Sequence, residues 1–164
     1  MKKTKSIHHQ FAIASAQERD LGVSVVPFPS ADKMRFVHHQ LGVRVGKQTF
    51  ACLPDGVSAV FQLWNTGCNS VALPSALKKA QWPGDYGPAA WVRSVDVDEI
   101  FALANQDLPD ERLVWLPPFH YEPSMSVGDI AAVNQGNFAD VMRCDTVGWV
   151  PLELISGNYR FVGN

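Results

Sequence analysis

Three pieces of the carboxy-terminal half decide how this chain is read: V-D-V-D-E-I-F-A-L-A-N (95–105), S-M-S-V-G-D-I-A-A-V (124–133) and M-R-C-D-T-V-G-W-V-P-L (142–152). In the first, Asp96 fits a helix N-cap and Glu99, three residues on, completes a capping box. Val97, Ile100, Phe101 and Ala104 recur at helical spacing, which predicts one face packed against a sheet, and Asn105 suits the helix end. The other two pieces predict strands over 126–133 and 138–146. They flank Asn134-Gln-Gly-Asn, a glycine-containing turn that makes them a hairpin. Gly148-Trp149 then leads into a further strand over 150–155.

This order of an acidic-capped helix, an S-V-G-D strand and a C-D-x-x-G-W strand resembles small proteins of plasmids, phages and integrative elements. It is similar to the YodL-like domain of mobile-element polyvalent proteins. The resemblance covers residues 95–155 and implies a genomic setting and a piece of fold, not a reaction. The chain has Ala104 where that pattern often has Thr before the helix-ending Asn, and Thr146 where it has Ser. Residues 1–90 match nothing of the pattern.

Outward from this module the signals are mostly β. Residues 1–9 read as a flexible basic tail, and the alanine-rich 10–20 as a short helix ended by Gly22. Strands are expected over 23–26, 34–38 and 43–53, the last with a register break near Gly46-Lys47. Pro54-Asp55-Gly56 is turn chemistry, 57–64 the returning strand and 70–73 a third, which together suggest an antiparallel meander. Pro74-Ser75 opens a short helix through Ala80. Further strands are expected over 91–95, 113–116 and 159–162. The expected fold is a single α+β domain over 1–164: a curved, mostly antiparallel sheet or partly open barrel with two or three short helices.

Net charge is −2, yet residues 1–50 hold eight of the 14 Lys/Arg and three of the 16 Asp/Glu, so a basic third precedes an acidic remainder. The three cysteines, Cys52, Cys68 and Cys144, are odd in number and form no CxxC, which favours free thiols in a reducing cytoplasm. Met1-Lys-Lys-Thr-Lys has the charge of a secretory leader, but no apolar stretch follows, and no run is long enough to span a membrane.

The chemistry-bearing residues form no recognisable catalytic set. His8-His9 and His38-His39 are adjacent pairs, which on a strand point to opposite faces, so no metal site is expected. His120, Cys144 and Asp145 could be drawn as base, nucleophile and orienter, but neighbours on a strand diverge, and Cys144 reads first as a core cysteine. Gly128, Asp129, Cys144, Asp145, Gly148 and Trp149 are expected to be structural. Asp129 would bond nearby backbone N–H groups and Trp149 would cap the sheet. No cofactor is expected.

The candidate interface is the turn-rich loop carrying Trp82 and Tyr86, together with Asp107, Asp110 and Glu111 of the acidic segment 96–111. The expected function is a non-enzymatic accessory or counter-defence protein that binds a host or element-encoded protein. Carboxylates that mimic DNA phosphates on a host enzyme are one form of this. A nucleic-acid-binding module using the basic third, and a small enzyme of unrecognised type, are the alternatives.

Overall fold

The computed structural model of the chain describes residues 20–27, 41–44, 49–63, 80–82, 85–116, 124–135, 139–155 and 158–161. Ten strands are described: β1 (Ser24–Pro27), β2 (Leu41–Arg44), β3 (Thr49–Leu53), β4 (Ser58–Leu63), β5 (Tyr86–Val92), β6 (Leu113–Trp115), β7 (Ile130–Asn134), β8 (Ala139–Cys144), β9 (Trp149–Ile155) and β10 (Asn158–Phe161). One helix, α1 (Val97–Ala104), lies between β5 and β6. A three-stranded sheet has the order β1-β3-β2, and a seven-stranded sheet the order β10-β9-β8-β7-β4-β5-β6. All pairings are antiparallel.

The large sheet is open, with β6 and β10 at its edges, so the class is α+β without barrel closure. The helices expected over 10–20 and 74–80 lie almost entirely outside the described residues, as do the strands expected over 34–38 and 70–73. Gly22 has φ 79°, the left-handed conformation that suits a chain reversal after a helix end. Pro27 closes β1 as its last residue. That strand is at a sheet edge, where a missing N–H costs no ladder bond.

The expected meander is corrected at its turn. Val57 N–H donates to the Pro54 carbonyl at 3.1 Å, with Gly56 at φ 80°, so the turn itself forms as read. It does not fold β4 back on β3, however. The two strands belong to different sheets, and β4 inserts between β7 and β5. Burial explains the choice. Ser58, Ala59, Val60 and Phe61 are all buried, which needs cover on both faces and neighbours on both edges.

The two faces of the large sheet bury different sets. On one, Ala59, Phe61, Trp91, Ile130 and Ala132 pack with Leu21, Val23, Leu53 and Val57. On the other, Val60, Ala90, Val92, Ala131 and Val133 pack with Ile100, Leu103 and Ala104 of α1. A register shift between Val60 and Phe61 leaves Ala89 and Ala90 together on the α1 face. β5 therefore starts at Tyr86 and stops at Val92, earlier at both ends than the strand expected over 91–95.

Helix α1 is capped as expected on one side only. The Asp96 carboxylate accepts from the backbone N–H of Asp98 at 2.8 Å and of Glu99 at 3.0 Å. Glu99 does not reach back to Asp96. The Ser94 hydroxyl oxygen accepts the Asp96 N–H at 3.1 Å, and Glu99 Oε2 lies 2.5 Å from that hydroxyl.

The buried face is also turned from expectation. Ile100, Leu103 and Ala104 are buried and Val97 is partly so, while Phe101 is 37% exposed. Phe101 meets the Trp149 ring edge-on instead, with centroids 6.2 Å apart. Leu103→Ala should thus cost about 2–5 kcal/mol, and Phe101→Ala only about 1 kcal/mol, in denaturant unfolding. Equal costs would mean that α1 sits differently on the sheet.

Two side-chain networks hold the ends of these elements. Asn134, 2% exposed, donates through Nδ2 to the carbonyls of Pro54 at 2.9 Å and Val57 at 3.1 Å. Its own N–H goes to the buried Ser58 hydroxyl, which donates to the Ser94 carbonyl. A second network ties the loop after α1 back to the helix start: Arg112 bonds Glu99 at 2.8 Å and Asp110 at 2.9 Å. Among the described residues no helix is long and apolar enough to cross a membrane.

Candidate functional site

The S-V-G-D and C-D-T-V-G-W segments fold as two turns clasped side by side. In the first, Asp129 N–H donates to the Ser126 carbonyl at 3.0 Å, and Gly128 sits at φ 98°. That angle favours glycine, which explains the residue. In the second, Asp145 N–H donates to the Gly148 carbonyl at 3.0 Å, with Gly148 at φ 74°. The strand expected from Ser126 therefore begins only at Ile130, because its first four residues form the turn. The clasp is backbone to backbone: Gly128 N–H donates to the Cys144 carbonyl and Cys144 N–H to the Asp129 carbonyl, both at 2.8 Å.

Sheet register then sets four side chains in one row. Phe61 pairs with Ile130, so Gln62 stands opposite Asp129. Ile130 pairs with Arg143, so Asp129 stands opposite Cys144; Cys144 pairs with Trp149. The Asp129 carboxylate accepts from Ser126 N–H at 2.8 Å and from Gln62 Nε2 at 3.1 Å. Gln62 Nε2 also donates to the Ser124 carbonyl at 2.9 Å. Burial pushes the Asp129 carboxyl up to about 7, against the pull of the Ser126 and Gln62 donors. Burial, then Asp129 and Asp145, push the Cys144 thiol up as well. Cys144 is a free, buried cysteine of the kind that packs rather than reacts.

At the end of the row, Trp149 is half-buried and donates from Nε1 to Asp98 Oδ1 at 3.0 Å. It caps the sheet toward α1, with Phe101 on its edge. The tip of the second turn carries Val147, 91% exposed. The Asp145 carboxylate is spent locally on Thr146 N–H at 2.7 Å, with Arg143 Nη2 at 3.7 Å from its other oxygen.

The aromatic loop is corrected. Tyr86 is not exposed: it opens β5 and is 5% exposed, on the face opposite α1. Trp82 is half-buried, edge-on to Phe61 at 4.9 Å and tilted against Tyr86 at 5.8 Å. Tyr86 belongs to the core on this face, and Trp82 packs against that core from its edge. The Tyr86 hydroxyl is buried with no hydrogen-bond partner among the described residues, and burial raises its pKa to about 12.

Of the acidic candidates, Asp107 and Glu111 are exposed, while Asp110 is held down at about 2 by its bonds to Arg112. His120 lies outside the described residues, as does Cys68. Among the described residues, no three His, Cys, Asp or Glu side chains are placed to hold a metal. Gln62, Ser94 and Arg112 carry no local signal in the sequence. Gln62 meets a carboxylate 67 residues away, and only sheet order shows it.

Compared with protein-family models, with curated proteins and with solved structures, the chain gives no match.

Proposed function

We propose that this protein is a non-enzymatic binding module that docks a basic protein surface, and that it serves a mobile genetic element. The observation that carries the reading is the apolar surface beside α1: Phe101 at 37% exposure, half-buried Trp149 and Val147 at 91%, joined through the Phe101–Trp149 ring contact. The Asp98 carboxylate borders it on the Trp149 indole, and Asp107 and Glu111 are exposed on the loop after α1 that Arg112 ties back to Glu99. An apolar centre edged by a carboxylate is suited to a partner that brings a basic group. The likeness of residues 95–155 to mobile-element modules supports the setting, and a host or element-encoded protein is the partner in that setting. The enclosed, backbone-bonded placement of Asp129 and Cys144 fits a structural use of the motif.

The test is paired affinity capture from cells carrying the element. Wild-type chain should retain a basic protein that the Phe101→Glu/Val147→Glu variant loses and an Asp140→Lys control, at an exposed position of β8, keeps. The retained complex should weaken as salt rises. Equal capture by all three would refute the surface. Retention of wild type on DNA at low salt, lost steeply with added salt, would move the reading to the basic amino-terminal third.

A further inference from the structure

A continuous path links the Asp129 carboxyl to the proposed binding surface, and the inference rests on that reading. The carboxyl holds Ser126 N–H and Gln62 Nε2 at one end of the first turn. The Asp129 carbonyl takes Cys144 N–H, and Gly128 N–H holds the Cys144 carbonyl. Cys144 leads directly into the Asp145–Gly148 turn, which carries exposed Val147 and ends on Trp149 against Asp98 and Phe101.

We propose that Asp129 is a proton-operated latch that sets how firmly the Val147–Trp149 turn is held against α1. With the carboxyl protonated, the first turn closes over a neutral group and its backbone clasp keeps Trp149 seated. When the proton leaves to solvent, a charge remains in an enclosed site. The turn pair then opens more readily to admit water, and Trp149 loosens from Asp98. The proton affinity of this carboxyl, near neutrality, places the change in a range where a partner would feel it. The groups around it are Gln62 on β4, which does not titrate, Tyr86 on β5, Arg143 and Cys144 on β8, and Asp145 in the second turn. Trp149 itself faces Asp98 of α1.

The experiment is an NMR titration of the full chain from pH 5 to 8.5 without any partner. It follows the Asp129 side-chain 13Cγ and the Trp149 indole Nε1–H. Both signals should shift with one shared midpoint, and indole exchange with water should speed up on the alkaline side. Asp129→Asn should abolish the indole shift, and His120→Gln should leave it intact. An indole signal that stays flat through the Asp129 transition would overturn the latch. So would a shift that persists in Asp129→Asn or vanishes in His120→Gln. If Asp129→Asn does not fold, matched or unmatched wild-type midpoints still decide. Since no partner is present, this result stands apart from the capture experiment, which alone judges the surface.

Discussion

Tyr86→Ala is expected to destabilise the fold by about 3–5 kcal/mol, whereas Tyr86→Phe should leave stability unchanged or raise it by up to about 1 kcal/mol. The ring is 5% exposed and packs beside Phe61 and Trp82, so its removal leaves a cavity in the face opposite α1. Among the described residues the hydroxyl is buried without a partner, so its loss removes a desolvated group and no bond to them. Against a total stability of roughly 5–15 kcal/mol, the alanine variant should be partly unfolded at 37 °C. Thermal and urea unfolding of the two variants beside wild type makes the check. A large loss in Tyr86→Phe would show that the hydroxyl makes a bond. A small loss in Tyr86→Ala would return the ring to the surface and to the interface first expected for it.

Stability should fall as pH rises from about 4 to about 7, through Asp129. Its carboxyl has a folded pKa of about 7 against an ordinary value of 3.8. Between those values the folded chain holds a proton that the unfolded chain has released. The unfolded state thus binds fewer protons, and the unfolding free energy drops with pH. Below the window both states are protonated and the group contributes nothing. Above it both are ionised and the full penalty stands, up to about 4 kcal/mol. Asp129→Asn cannot titrate but keeps an oxygen for the Ser126 N–H. Wild type and this variant should therefore be nearest in stability at acid pH, with the variant gaining on wild type by pH 8. Urea unfolding at several pH values measures the difference. A flat difference from pH 4.5 to 8 would place the Asp129 proton elsewhere.

Local chemistry made parts of this fold legible in residue order. Asp96 caps α1 because a carboxylate at that position meets two free N–H groups whatever the surroundings. Gly56 takes positive φ in the turn read at Pro54-Asp55-Gly56, a conformation few other residues enter without strain. β7 and β8 pair antiparallel, as expected of the two strands read on either side of Asn134-Gln-Gly-Asn. Each of these is decided within a few residues, so reading the chain suffices.

Other features were settled by what lies far away along the chain. Helical spacing placed Phe101 on the inner face of α1, but Leu103 is buried there and Phe101 meets Trp149 from β9 instead. The turn at Pro54–Val57 was readable, but not that β4 would cross to another sheet; the need to bury all of Ser58–Phe61 decided that. Trp82 and Tyr86 looked like loop aromatics because proline and glycine surround them; in the fold Tyr86 is core and Trp82 is half-buried against Phe61 and Tyr86. Asp129 shows the limit most clearly. A strand was expected from Ser126, the turn replaced its first four residues, and the proton affinity of Asp129 depends on burial and on Gln62, brought across from β4. Sequence determines which backbone shapes are cheap at each point. Solvent exclusion and charge are properties of the assembled neighbours, and these only the tertiary structure supplies.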